Sequence, residues 1–312
     1  MKTHAITVGD TQIENNVFLA PMAGYTDYAY RKLQLKLGTG LAFTELVSAK
    51  GLIYGSQGTA TLLYSKGDEN KTAVQLFGAD PFYMRSACES PLLEQFKIID
   101  INMGCPVPKV FKNGEGSALL TNIYKAEKII KECVKSKKNI TVKIRTGIKK
   151  GDNIATEYAK MAENAGAKLI TIHGRVRDDY YSGQVNYSAI ESAKNAVKIP
   201  VIANGGVFTE EDANLLMERT GADGVMLARG AIVNPFLSAK LLGRKVETTL
   251  KQYILEQLSL MQEIYQDKRT TLEFRKFTAY YFKGIPNVKE IKLAINSAQN
   301  LDQLRQIIIE RL

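Results

Sequence analysis

NITVKIRTGIKKGDNIATEYAKMAENAGAKLITIHGR, residues 139–175, holds one complete strand, helix and strand unit. In NITVKIR apolar and polar residues alternate, the period of a half-buried strand. The segment 153–166 then carries apolar residues at helical spacing, and AKLITIHGR returns to a strand that ends on Gly and Arg. Outward from this unit the same sentence repeats. Apolar runs occur at 16–24 (NVFLAPMAG), 41–47 (LAFTELV), 72–78 (TAVQLFG), 97–105 (KIIDINMGC), 199–206 (IPVIANGG) and 222–230 (ADGVMLARG), with helical stretches such as 122–138 and 209–220 between them. Parallel strands need crossovers of this length. Eight such units predict a closed (β/α)8 TIM barrel of class α/β, where a doubly wound open sheet would use fewer strands.

After about residue 240 the period changes to helical only, with Leu255, Leu258 and Met261, and then Leu301, Leu304 and Ile308, on single faces. The expected organisation is a barrel over 1–242 followed by a small all-helical C-terminal domain over 243–312. Composition agrees with a globular chain: of 312 residues, 45% are hydrophobic and 24% charged, which excludes disordered and collagenous classes. The net charge of +10 favours a polyanionic partner. Cys88, Cys105 and Cys133 are odd in number and widely spaced, which suits a reducing cytoplasm and neither a disulfide framework nor a metal site. The N-terminal residues lack the apolar centre of a leader, and no run is long enough to span a membrane. A cytoplasmic protein without membrane attachment or an obligate protein partner is expected.

Chemistry in such barrels gathers at the C-terminal strand ends. Alternation turns Val142 and Ile144 to the helices and Lys143, Arg145 and His173 to the inside; Gln75, Asn102, Asn204 and Arg229 hold comparable late positions. Together they ring one mouth. ANGG at strand seven and ARG at strand eight lie where barrels often take a phosphate, and no GxGxxG, Walker or metal motif competes. Cys105 follows strand four in INMGCPVPKV on a loop stiffened by two prolines. A thiol with an ordinary pKa of about 8.5 is mostly protonated at neutral pH and can act as a general acid. Cys88 and Cys133 fall in helical stretches and read as inert buried thiols.

APMAGYTD (20–27), INMGCP (101–106) with GSALL (116–120), VKIRTG (142–147), IHGR (172–175) and ANGG (203–206) resemble the tRNA-dihydrouridine synthases, closest to the bacterial B-type subgroup. FRKFTAYYFKG (274–284) is similar to that family's helical-domain signature, with Phe277 and Tyr280 where His and Trp are usual. The resemblance implies a tightly bound FMN and NADPH as reductant, acting on the C5=C6 bond of D-loop uridines in tRNA. By resemblance Pro21, Met22 and Ala23 line the flavin ring, Gln75, Lys143 and His173 hold its polar edge and side chain, and Asn204, Gly205, Gly206, Ala228 and Arg229 take its phosphate. Reduced flavin would supply hydride to C6 and Cys105 the proton to C5, with Asn102 and Arg145 holding the uracil.

Between 268 and 292 seven Lys or Arg face two Glu, a net of +5, and five aromatics are interleaved. Apolar spacing predicts that half or more of those aromatics pack the helical core. The cations, Arg275, Lys276 and Lys283 among them, are expected on tRNA phosphates. A flavin barrel acting on a small pyrimidine has no use for this appendage, and an RNA binder without chemistry has no use for Cys105, Lys143 and His173.

Overall fold

The computed structural model describes residues 1–312, the side chain of Gln57 apart. Eight parallel strands form a closed ring: β1 (Val17–Leu19), β2 (Leu41–Phe43), β3 (Thr72–Phe77), β4 (Ile98–Met103), β5 (Asn139–Arg145), β6 (Leu169–His173), β7 (Val201–Asn204) and β8 (Gly224–Leu227). Closure comes from Val225 of β8 lying beside Val17 of β1. The sequence predicts this barrel, and with one exception each run quoted above contributes a single strand. The exception is LAFTELV, where pairing stops at Phe43 and resumes at Val47–Ser48. At the break the Gln75 N–H donates to Thr44 Oγ1 at 3.1 Å, a side-chain acceptor.

Val142 and Ile144 belong to the outer core between sheet and helices, which also takes Ile129, Ile130 and Cys133 from the helix Ile123–Val134. That helix starts where Asn122 Oδ1 accepts from the Lys125 N–H, and such a cap contributes about 1 kcal/mol. The helix Glu210–Thr220 is bounded by a Thr209 capping box and by Gly221 at φ +59°, a left-handed stop that glycine adopts without a Cβ clash.

Inside the ring a polarity gradient runs along the axis. Phe18, Leu41, Phe43, Ala73, Ile98, Leu169, Ile202 and Met226 fill the lower interior. A hairpin of Ile6–Val8 and Thr11–Ile13, unforeseen from the sequence, packs Ile6, Val8 and Ile13 against that cluster and closes the N-terminal end. Above it the register stacks polar layers. Gln75, Asp100 and Thr141 are neighbours in one, Asn102, Lys143 and Thr171 in the next, and Arg145, His173 and Asn204 in the uppermost. One end of the cylinder is therefore sealed by hydrocarbon and the other is polar.

The C-terminal region is all helical, with Leu250–Gln262, Asp267–Phe274, Val288–Ser297 and Leu301–Arg311 as its main elements. The stretch from Val288 onward is two helices, parted at Asn300, whose side chain accepts from the Gln303 N–H. Leu258, Met261, Leu301, Leu304 and Ile308 are buried as their spacing requires, while Leu255 is half-buried. This region docks on the barrel. Gln34 Nε2, in the first barrel helix, donates to Pro235 O at 3.0 Å and to Tyr253 Oη at 3.1 Å. Tyr25 presents its ring edge-on to Phe277 and Tyr280, with centroids 5.4 and 5.7 Å away. No helix is long and apolar enough to cross a membrane.

Candidate active site

The polar end opens into a cavity of about 430 Å³, within the range that takes a small molecule. One wall is apolar: Ala20, Pro21, Met22 and Ala23, the run that leaves β1. The floor carries Gln75, Asn102, Lys143 and His173; the far end carries Asn204, Gly205, Gly206, Ala228 and Arg229. Every barrel residue singled out above for cofactor or pyrimidine lines this one space, together with Cys105 and Arg145.

The charge of the lining is one-sided. Lys143, Arg145, Arg175 and Arg229 face the cavity, and no Asp or Glu among the described residues lines it. Lys143 Nζ donates to Asn204 Oδ1 at 3.0 Å, and Asn204 Nδ2 is fixed in turn by donating to Met226 O at 2.8 Å. Burial, and then the Arg145 charge, bring the Lys143 ammonium down to about 8. His173 is pushed well below its usual value by burial and by Arg145, Lys143, Arg175 and Arg229, so it is a neutral imidazole at pH 7. This surplus of positive charge, with Arg145 buried and the other three half-buried, suits an anion.

Two glycines make room at the far end. Gly205 sits at φ +121°, and a Cβ there would lie 2.8 Å from His173 Cδ2; Gly206 is at φ +74°. Gly230 packs so closely on the loop after β7 that a Cβ would approach Val207 O to 1.9 Å. The close approach of these segments requires glycine.

Cys105 is 7% exposed at the rim. Its loop is tied down at three points: its N–H donates to Asn102 Oδ1 at 2.9 Å, its carbonyl accepts from Ser117 Oγ at 2.7 Å, and Gly104 O accepts from Arg145 Nε at 2.9 Å. Fixing therefore comes from hydrogen bonds as well as the flanking prolines. Burial raises the thiol above its ordinary value, against the lowering effects of the Val107 N–H, Arg145 and Lys143. The group that faces the cavity is the protonated thiol.

A family described as Dihydrouridine synthase (Dus) matches residues 18–310. This chain belongs to the dihydrouridine synthase family. The family comprises flavin-dependent oxidoreductases. Among curated relatives, a probable tRNA-dihydrouridine synthase of Rickettsia conorii is 35% identical, with 93% of this chain and 91% of the relative covered. The tRNA-dihydrouridine synthase B of Pseudomonas putida is 33% identical over 95% of this chain and 91% of its own length. Histamine dehydrogenase from Rhizobium sp. 4-9 shares the fold, with a TM-score of 0.59 at 14% identity over 82% of this chain and half of its own.

For a dihydrouridine synthase the cavity is the place to test a flavin, and the residues fit. A flat ring would lie against the Pro21–Ala23 wall, its polar edge meeting the Gln75 amide, the Lys143 ammonium and the neutral His173 ring. An anionic tail suits Arg229, the two glycines and the absence of carboxylates.

Three further residues belong to this site that sequence reasoning did not single out. Asp100 lies fully buried beneath the floor, bonded to Gln75 and Thr141. Arg175 donates to Gly183 O at 2.9 Å and lines the cavity. Tyr181 lies under the guanidinium groups of both Arg145 and Arg229, at 5.6 and 4.7 Å. The only sequence signal was polarity inside a strand for Asp100 and the IHGR run for Arg175; Tyr181 sits in an irregular loop without period.

The C-terminal cations part company. Arg275 donates to Ala298 O at 2.9 Å and so ties two helices together. Lys276 pairs with Glu273 at 2.7 Å and lies over the Tyr25 ring at 5.9 Å. Lys283 is exposed and forms no ion pair among the described residues. Of the aromatics, Phe274, Phe277, Tyr281 and Phe282 are buried, while Tyr280 reaches the cavity.

Proposed function

We propose that this chain is an FMN-dependent tRNA-dihydrouridine synthase of the bacterial B type, which uses NADPH to reduce the C5=C6 bond of D-loop uridines in the cytoplasm. Family membership sets the reaction class; one observation supports the residue roles. That observation is a buried, protonated Cys105 on a pinned loop above a cationic cavity free of carboxylates.

A flavin held by Gln75, Lys143, His173 and Arg229 would supply the hydride for uracil C6. Cys105 delivers the proton to C5, a task for a thiol that stays protonated until the pyrimidine arrives, and such general acid assistance is worth about 10² to 10⁴ in rate. Lys143 holds its charge near the flavin's polar edge, where burial makes each charge count for more than in water. His173, neutral, offers one N–H donor, and Asn204, Gly205, Gly206, Ala228 and Arg229 hold the phosphate.

Asn102 and Arg145 serve the uracil through the capacity they retain. Arg145 has spent Nε and Nη1 on the carbonyls of Gly104, Val176 and Tyr180, which leaves Nη2 to reach the base. Asn102 keeps one N–H of its amide.

The division of labour follows the boundary read from the sequence: 1–242 carries the catalysis and 243–312 grips tRNA. A uridine in a folded loop must be splayed out at a cost of a few kcal/mol, and electrostatic attachment elsewhere offsets that cost. Lys283, with Lys268 and Lys289, fits this task as exposed charge; Lys276 and Arg275 act by shaping the surface that presents it.

The test is mass-spectrometric mapping of dihydrouridine in tRNA from cells lacking the protein. Loss at defined D-loop positions, restored by the gene, is the expected result. Unchanged dihydrouridine at every position would refute the proposal.

A further inference from the structure

Thr141, Asp100, Gln75 and Asn102 form one hydrogen-bond chain that ends on the backbone of the Cys105 loop. Its geometry dictates which way each amide points. An ionised carboxylate has no proton to give, so both its partners must donate: Thr141 Oγ1 to Asp100 Oδ1 at 2.6 Å and Gln75 Nε2 to Oδ2 at 2.6 Å. With Nε2 so committed, Gln75 Oε1 accepts from Asn102 Nδ2 at 2.9 Å. Asn102 is left with Oδ1 toward the loop, where it accepts from the N–H groups of Gly104 at 3.2 Å and Cys105 at 2.9 Å. Reversing any one amide brings donor to donor or acceptor to acceptor.

We propose that the negative charge of Asp100 sets the direction of this chain and so holds the Cys105 loop in place, which makes Asp100 a positioning residue for the thiol. The reaction this serves rests on the functional reading above, but the restraint itself does not.

The placement supports the proposal. Gln75, Asp100 and Thr141 are register neighbours on β3, β4 and β5, all three are fully buried, and Asp100 and Thr141 lie off the cavity lining, so water cannot substitute for a missing partner of the carboxylate. Burial lifts the Asp100 carboxyl to about 6, opposed by the bonds from Gln75 and Thr141 and by the Lys143 charge, so it is ionised at neutral pH. A neutral amide at position 100 would satisfy Gln75 in either orientation. Half of those arrangements would aim the Asn102 amino group at the two backbone N–H groups it now serves. A bare counter-ion for Lys143 would have no such effect on the loop.

The test uses the full-length chain free of cofactor, as wild type, as Asp100→Asn, and as the exchange that combines Asp100→Asn with Gln75→Glu. The exchange moves the charge one link along: the amide at 100 then donates to the carboxylate at 75, Asn102 Nδ2 still donates to that carboxylate, and Asn102 Oδ1 keeps facing the loop. Alkylation of Cys105 by iodoacetamide is followed by peptide mass spectrometry, with Cys88 and Cys133, both buried, reporting any general loosening. Asp100→Asn is expected to react about five- to tenfold faster at Cys105, the change that follows loss of one or two loop hydrogen bonds, and the exchange to return to the wild-type rate. A wild-type rate in Asp100→Asn, or an exchange no slower than the single variant, would overturn the proposal. If Asp100→Asn does not fold, the exchange decides alone: the wild-type rate supports the proposal and a fast rate overturns it. Dihydrouridine formation is read separately on the wild-type holoenzyme. Its absence there refutes the functional reading and leaves alkylation to decide the role of Asp100.

Discussion

Lys143 reaches across the barrel mouth from β5 to donate to Asn204 Oδ1 on β7 at 3.0 Å. The contact spans β6, and it leaves the half-buried Lys143 with an amide oxygen, not a carboxylate, as its hydrogen-bond partner. A group in this position binds an anion well and holds its own proton poorly.

The consequence is a pH dependence of flavin binding. In the free protein the Lys143 value is depressed to about 8 by burial and then by Arg145. A depressed lysine contributes stability that is present above its unfolded value of about 10.4 and is lost as pH falls through about 8. An anionic ligand reverses this by restoring the charge. Affinity for FMN should therefore fall as pH rises through 8, by up to about tenfold per pH unit. Titration calorimetry on the apoprotein between pH 7 and 10 would check it, with Lys143→Met expected to be weaker and flat across the window. An identical slope in Lys143→Met would assign the effect to another group.

Gly205→Ala should separate cofactor binding from folding. The residue is at φ +121°, and the new methyl group would sit 2.8 Å from His173 Cδ2. Strain of this kind costs about 1–3 kcal/mol, and relief requires the imidazole to leave its place. The protein is expected to keep its far-ultraviolet circular dichroism while FMN affinity drops about tenfold or more, as read by flavin fluorescence on titration. Wild-type affinity would remove His173 and the turn from the cofactor site.

Much of this site was legible in the sequence. The alternation in ITVKIR is dictated by the strand period, so Lys143 and Arg145 had to face inward once Val142 and Ile144 faced helices. His173 followed from the same rule, and Gln75 from its late position on strand three. What escaped had no periodic signature. The hairpin at Ile6–Ile13 is too short for its pattern to stand out, and its meaning depends on the open barrel end it covers. Tyr181 lies in a loop whose path is set by long-range bonds such as Tyr180 O accepting from Arg145. Asp100 was visible as a carboxylate in an apolar strand, yet its partners come from two other strands and only the register joins them. Arg275 shows the opposite limit: its charge is plain in the sequence, but its bond to Ala298 O depends on how two helices pack.

Exposed cations of the C-terminal region should govern the salt dependence of tRNA binding. Replacing Lys283 with Ala removes one phosphate contact on this account, and the slope of log Kd against log salt should become shallower by about 1. Arg275→Ala, which breaks the bond to Ala298, should instead lower thermal stability. Filter binding over a salt series and a thermal melt distinguish the two. An unchanged slope in Lys283→Ala would move the RNA footprint elsewhere.

The placement of Cys105 over the cationic cavity is what the whole account turns on, and Cys105→Ala tests it in one preparation. The variant should bind FMN and oxidise NADPH as the wild type does, since neither step uses the thiol. With unmodified tRNA it should form dihydrouridine about 10² to 10⁴ times more slowly, the loss expected for a missing general acid. Dihydrouridine formation at the wild-type rate in a single-turnover measurement would contradict the account.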